Sequence, residues 1–292
     1  MPSTRDIRRR IKSVKNTSQI TKAMQMVAAS KMRRAQQQAL AGRPYAELMN
    51  EVLAEVTAGA SDFSHPLMAP AEAGKRALIV VSTDKGLCGA LNSNLFREAT
   101  KVDKDNTVFI SAGRKAAQFL SRTKRDLAAE FSYNDSPEFA EARAISKMAQ
   151  ELFLKGEVAG VDILFTNFVS TLNQYPEIRS FLPVTEIKGI AAGVEGEGND
   201  QELKSASRDF LFEPDAGSVL AELLPHYLNY QMYQILLESK ASEHSARMVA
   251  MKNATDNANQ LIKDLTLEYN KLRQAMITNE LLEITSAAMA VG

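Results

Sequence analysis

Residues 226–291 run for 66 positions without a glycine or a proline, and apolar side chains recur through the second half of that run at alternating spacings of three and four. As one helix the run is about 100 Å long at about 1.5 Å per residue, whereas a compact globule of this chain length is only about 50 Å across. The spacing therefore predicts a rod that projects from a body. Residues 3–41 are also free of both helix breakers, so the two ends of the chain supply two long helices. A middle of different composition lies between them.

The C-terminal run carries the clearer pattern. Met248, Met251, Thr255, Ala258, Ile262, Leu265, Tyr269, Leu272 and Met276 step by three and four in strict alternation, which is a coiled-coil seam. Ala246, Ala250, Ala254 and Ala258 recur every fourth residue, so a partner helix can approach closely there. No charge follows Glu283, and residues 284–291 are small and apolar, a tip suited either to an apolar sleeve or to fraying. In the first helix Ser3 and Asp6 make a capping signature. Ile7, Ile11 and Val14 form one stripe, and Ile20, Met24 and Val27 form a second after a polar break at Thr17 and Ser18. An irregular seam is expected from that break. Gly42 and Pro44 predict a bend, with helical spacing resuming through Tyr45, Leu48, Val52 and Val56 until Gly59. Residues 58–74 read as linker.

In the middle the period changes. The apolar runs at 77–81, 107–110 and 161–165 have strand length and alternate with helical stretches after about Ala90, after Gly113, and between Pro137 and Lys155. That alternation predicts an α/β domain with a mainly parallel sheet covered on both faces. Residues 178–184, with Pro183 inside, read as an edge strand or its exit. The glycine-rich, acidic stretch 189–200 reads as a loop.

Charge is segregated. The chain has 35 basic and 35 acidic side chains, yet residues 1–46 hold eleven of the bases and a single acid, Asp6. So basic an arm calls for an acidic surface, which nucleic acid, anionic lipid or an acidic protein face would supply; a solvated helix face is the alternative. Residues 1–44 contain no aromatic side chain, which weighs against stacking on single-stranded nucleic acid. No apolar stretch approaches the roughly 20 residues needed to span a bilayer, and no secretory signal is expected. Cys88 is the only cysteine, so no internal disulfide forms. His65, His226 and His244 lack metal-ligand spacing. The turn Gly86-Leu-Cys-Gly89 lies between a strand and a helix, where backbone amides can meet a phosphate, but no phosphate-loop or dinucleotide motif accompanies it. An ordinary tight turn is expected. Chemistry is absent from the motifs and mechanics is present in the periodicity. A coiled-coil nucleic-acid binder and an α/β enzyme dimerised by its terminal helices remain competing readings.

Three strings decide among these readings: IKSVKNTSQITKAMQMVAASKMRRAQ near the start, DKGLCGALNSN in the middle, and ESKASEHSARMVAMKNATDNANQLIKDLTLEYNKLRQAMITNELLEI near the end. Together they strongly resemble the gamma subunit of the F-type ATP synthase. The resemblance implies an antiparallel coiled coil of the terminal helices plus a central Rossmann-like α/β domain. It divides the chain into residues 1–58 as the N-terminal coiled-coil helix, 75–190 as the α/β domain, 191–215 as a loop and foot segment, and 216–292 as the C-terminal helix. It further implies a non-catalytic rotor shaft without cofactor or metal. The implied partners are three alpha and three beta subunits, the epsilon subunit and the c-ring, with membrane association only through them. By resemblance Met24, Lys31, Arg33 and Arg34 face acidic beta-subunit loops, while Arg273, Gln274 and Thr278 match the patch gripped by beta. Phe210, Phe212 and Glu213 match the foot segment near epsilon and the c-ring. Ala287 stands where many members have glycine, and the foot aromatics are phenylalanine where tyrosine also occurs. Cys88 stands alone, without the regulatory cysteine pair of the photosynthetic branch. A bacterial enzyme at the cytoplasmic face of the inner membrane is therefore expected.

Overall fold

The computed structural model describes residues 3–59, 65–69, 74–184, 213 and 215–291. Six helices and five strands follow one another along them: α1 (Thr4–Ala41), α2 (Arg43–Gly59), β1 (Arg76–Val81), α3 (Leu91–Lys101), β2 (Thr107–Ala112), α4 (Arg114–Arg122), β3 (Leu127–Phe131), α5 (Phe139–Leu154), β4 (Gly160–Phe168), β5 (Gln174–Leu182) and α6 (Ala216–Val291). The chain divides into two compact units, one formed by residues 1–27 with 248–292 and the other by residues 28–247.

The larger unit is built on a sheet of order β3-β2-β1-β4-β5. The first four strands are parallel and β5 pairs antiparallel with β4 at the edge. β1 is a continuous apolar run because both faces are covered. Ala77, Ile79 and Val81 meet a cluster that includes Leu53 of α2, Ile145 of α5 and Tyr227 of α6, whereas Leu78 and Val80 meet Leu95 of α3 and Leu120 of α4. The three apolar runs become β1, β2 and β4; of residues 178–184, the stretch 178–182 lies in the edge strand β5, which begins four residues earlier, and Pro183 and Val184 form its exit. β3 has no counterpart in the sequence reading. Its residues, LAAEF, are mostly small and half-buried at the other sheet edge, so their alternation carries too little hydrophobic contrast to stand out.

The bend at Gly42 is the turn between α1 and α2, and there the Tyr230 hydroxyl donates to the Gly42 carbonyl at 3.0 Å. α6 begins ten residues before the proline-free run and carries Pro225 inside it. Asp215 starts the helix by accepting from the Ser218 amide at 2.9 Å and from the Ser218 hydroxyl at 2.7 Å. Pro225 forfeits one helical hydrogen bond, and burial of Leu220, Leu224, Tyr227 and Leu228 around it holds the helix together.

In the smaller unit α1 and α6 pair antiparallel. Thr21 and Thr255 share a hydroxyl hydrogen bond at 2.7 Å, and Ser18 donates to Asn259 at 2.8 Å. That register corrects the expected α1 seam. Ile20 and Val27 are 60% and 55% exposed, Met24 is half-buried, and the seam runs through Ile7, Ile11, Val14, Ser18, Thr21 and Gln25. It is a regular heptad whose lower half is polar, so what reads as a break is the seam itself. On α6 the expected seam is buried or half-buried from Met251 to Leu272, but Met276 is 48% exposed. The reason is geometric: with Thr21 opposite Thr255, Thr4 at the start of α1 falls opposite Leu272, and α6 continues beyond it unaccompanied by α1.

Gly113 ties β2 to α4 at φ +105°, and a Cβ there would lie 2.3 Å from the Ser82 carbonyl oxygen. Gly113→Ala combines a conformation disfavoured for L-residues with a backbone clash. It should destabilise the full chain by more than about 2 kcal/mol, measured as a lowered midpoint in urea unfolding.

Candidate functional site

Open α/β sheets bind ligands in the crevice beyond the carboxyl ends of the strands, where the chain's connections leave neighbouring strands in opposite directions. Here that point lies between β1 and β4, since the chain leaves β1 through α3 towards β2, while β4 is reached later through α5. The strand ends there carry backbone groups that the sheet leaves unpaired. α6 supplies their partners. The Ser242 hydroxyl donates to the Thr166 carbonyl at 3.1 Å and Ser245 donates to Thr171 at 2.8 Å. Glu238 accepts from the Phe168 amide at 3.2 Å, and the Arg247 guanidinium reaches the carbonyls of Lys85 and Gly86 at 3.2 and 3.3 Å. The turn after β1 therefore offers carbonyls to a cation, the reverse of a phosphate cradle. Cys88 within it is buried, and burial pushes its thiol up despite nearby Arg247, which leaves it a filler rather than a nucleophile.

Beside these contacts lies a buried cluster of charges. Lys240 and Glu243 are 1% and 2% exposed; the ammonium lies 3.0 Å from Glu243, 3.8 Å from Asp135 and 4.5 Å over the Tyr133 ring. Glu243 also accepts from Arg247 at 2.7 Å, Lys31 of α1 pairs with Asp135, and the Tyr133 hydroxyl donates to the Ser82 carbonyl at 3.1 Å. One network thus ties α1, α6, the β1 turn and the segment after β3. Such pairs add little net stability, but removing one partner strands a buried charge at a cost of about 3–5 kcal/mol. His244, 1% exposed, has its imidazole lowered to about 4, chiefly by burial, so it is neutral beside Arg247.

The residues expected from sequence fall in different places. Met24 is half-buried, and Arg273, Gln274 and Thr278 are exposed on the part of α6 beyond Leu272. Within their unit Met24 sits opposite residue 252, so about 30 Å of helix separates it from Arg273. Thr278 already donates to the Gln274 carbonyl at 2.9 Å, leaving lone pairs rather than a proton for any partner. Lys31 is engaged with Asp135, whereas Arg33 and Arg34 are exposed. Glu213 is exposed, and Phe210 and Phe212 lie outside the described residues. Sequence reasoning missed Tyr133, Asp135, Glu238, Lys240, Glu243 and Arg247 as a group. The available signal was the polar density of ESKASEHSAR inside a helix otherwise rich in apolar residues.

A Rossmann-like sheet whose ligand crevice is crossed by the chain's own last helix, together with an antiparallel coiled coil of both chain ends, defines a class of α/β proteins with a helical stalk. The ATP synthase family model matches residues 3–291. The ATP synthase gamma chain of Opitutus terrae is 50% identical over the full length of both chains, and that of Methylacidiphilum infernorum 45% identical, again over the full length of both. Among solved structures, a chain of the Euglena gracilis mitochondrial ATP synthase OSCP/F1/c-ring structure superposes with a TM-score of 0.69 at 19% identity, covering 99% of this chain and 94% of that one. A chain from the central stalk and c-ring structure of the Tetrahymena thermophila mitochondrial enzyme gives 0.58 at 25% identity, covering 80% and 99%. This chain belongs to the ATP synthase gamma chain family.

Glu238 gives the site a pH signature. Burial raises its carboxyl from 4.5 to about 7, with Arg179 opposing and Glu177 adding to the shift. A raised acid costs nothing below its unfolded pKa, and the penalty grows through pH 4.5 to 7 and is complete above. Glu238→Gln keeps an acceptor for the Phe168 amide, so it should stabilise the chain by about 2–3 kcal/mol at pH 8 and by nothing below pH 4.5. Urea unfolding at the two pH values measures the difference.

Proposed function

We propose that this chain is the central-stalk rotor shaft of an F-type ATP synthase, coupling ion-driven rotation of the c-ring to ATP synthesis or hydrolysis at the beta subunits. The observation that carries it is family membership over residues 3–291 with 50% identity to a curated gamma chain. Physical features support it. One charge crossing 100 mV yields only about 2.3 kcal/mol, so several steps must be summed and delivered through a stiff element. α6 is 76 residues long and contributes to both compact units, paired with α1 in one and bonded to the sheet's strand ends in the other. The nucleic-acid-binding alternative has no support from the comparisons.

The chain acts as a subunit of the complex, and we take it to be non-catalytic, the beta subunits carrying the chemistry. The occupation of the crevice by Ser242, Ser245 and Arg247 supports this reading. Its partners are the alpha, beta and epsilon subunits and the c-ring. It is a peripheral component; no described helix is long and apolar enough to cross a membrane, and we assign it to the cytoplasmic face of the bacterial inner membrane. Arg33 and Arg34, exposed in a segment of strong positive charge, suit the acidic beta loops, and Arg273, Gln274 and Thr278 suit the beta grip. Glu213, with Phe210 and Phe212, suits the foot.

Tagged chain isolated from membranes of its own cells should bring alpha and beta with it; its isolation without them would overturn the proposal. A finer test uses Gln274→Ala with Thr278→Ala. Both residues are exposed in the isolated chain and alanine is the better helix former, so thermal unfolding should not fall. ATP turnover of the assembled complex should drop several-fold. Lost stability would make the two residues structural, and unchanged turnover would remove them from the beta contact.

A further inference from the structure

The ion-pair cluster around Asp135 and Glu243 is not neutral. Lys31, Lys240 and Arg247 bring three positive charges to it, and Asp135 and Glu243 bring two negative ones. Asp84 and Glu141, the other acids that act on Tyr133, are taken up by backbone amides: Asp84 accepts from Arg114, and Glu141 from Asn134 and Glu138. His244 is neutral. One cation is therefore in surplus, and exposure decides which. The Lys240 side chain is 1% exposed and that of Arg247 12%, whereas that of Lys31 is 41% exposed.

Asp135 can release Lys31 without being left alone. Burial by itself would raise its carboxyl, yet Lys31 and Lys240 together hold it below the usual carboxylate range, and Lys240 stays at 3.8 Å when Lys31 departs. The turn that carries Asp135 is braced independently of Lys31: the Tyr133 hydroxyl donates to the Ser82 carbonyl at 3.1 Å, Gln38 donates to the Ser136 hydroxyl at 2.6 Å, and the Asn134 amide donates to Glu141 at 3.0 Å. Lys31 is the movable member, a point charge on a flexible four-carbon stem. A half-exposed ion pair is worth little, so a carboxylate brought to the surface can take the ammonium over. Arg33 and Arg34, close by on α1, are exposed and have no such internal partner among the described residues.

We propose that Asp135 competes with a partner's carboxylate for Lys31, and so makes the contact of Lys31 with an acidic partner surface a releasable one. Asp135 is a positioning residue, acting on the partner through Lys31. A shaft that turns against fixed subunits must break each contact it makes, and an internal acid that takes the ammonium back shortens the hold. That consequence, with the beta subunit as the partner, rests on the rotor reading; the exchange itself is a property of the chain alone.

The test acylates the isolated full chain with sulfosuccinimidyl acetate and reads Lys31 by peptide mass spectrometry against the exposed Lys22. Asp135→Asn should raise labelling of Lys31 at least three-fold while buried Lys240 stays protected. In the unsubstituted chain high salt should screen the pair and raise labelling of Lys31 at least two-fold, a reading that decides the matter even if the variant does not fold and Lys240 becomes reactive. In the reassembled complex at low salt, Asp135→Asn should slow ATP turnover at least two-fold, because a freed Lys31 holds the partner longer, and high salt should restore it. With Lys31→Met in place, Asp135→Asn should change turnover no further. Labelling of Lys31 that ignores both Asp135 and salt overturns the exchange. A turnover loss that persists in the Lys31→Met background makes Asp135 merely structural and overturns the proposal, and unchanged turnover in Asp135→Asn overturns its link to the partner. Failure of the unsubstituted chain to assemble with alpha and beta would instead overturn the rotor reading and leave the labelling result standing.

Discussion

The ends of β1 and β4 impose the constraint on which the rest of the larger unit depends. The carbonyls of Lys85, Gly86, Thr166 and Thr171 face outward at the carboxyl edge of the sheet, and α6 meets them with a guanidinium and two serine hydroxyls. A helix of purely apolar face would bury those carbonyls unpaired. The segment that crosses the edge must therefore be both helical and supplied with donors, which accounts for buried Ser242 and Ser245 in a run that also buries Lys240 and Glu243. The charged members then need partners of their own, and Asp135, Lys31 and Tyr133 provide them.

In a nucleotide-binding protein of this architecture the crevice is left open for a ligand, and backbone amides at a helix start meet its phosphates. Here the corresponding groups are spent internally. At the neighbouring strand, Ser82 accepts from the Ala116 amide and Asp84 from the Arg114 amide, at 2.7 and 2.9 Å, so the end of β1 also closes the start of α4, the helix after β2. The sheet becomes a fixture for a helix instead of a receptor. That use of the sheet belongs to a member of the ATP synthase gamma chain family.

The stalk end obeys the opposite economy. By the register of Thr21 on Thr255, Ile7, Ile11 and Val14 of α1 lie opposite Tyr269, Leu265 and Ile262 of α6, where hydrophobic burial supplies the adhesion, while Ser18 and Thr21 give up some of it for directional bonds. Beyond Leu272 the helix presents an exposed surface that mixes Arg273, Gln274 and Thr278 with Ile277, Leu281 and Ile284. Exposed apolar side chains in that density are what the proposed contact with the beta subunits would cover.

Long-range periodicity and composition were enough to read the two terminal helices, the bend at Gly42, three of the five strands and the edge strand after β4, because each is a local pattern repeated over many residues. The family resemblance was likewise legible in three strings. Other features were not local. β3 is recognised only by its pairing with β2, since LAAEF has little contrast of its own. Ser18 reads as a break in the helix stripe until Asn259, 241 positions away, is seen to receive its hydroxyl. The cluster of Lys31, Asp135, Lys240, Glu243 and Arg247 draws on three distant segments. In the sequence each of these looks like a solvated charge. Local propensity and hydrophobic period determined which elements form; which polar groups are buried, and against what, was decided only when the fold brought distant donors and acceptors within hydrogen-bonding distance.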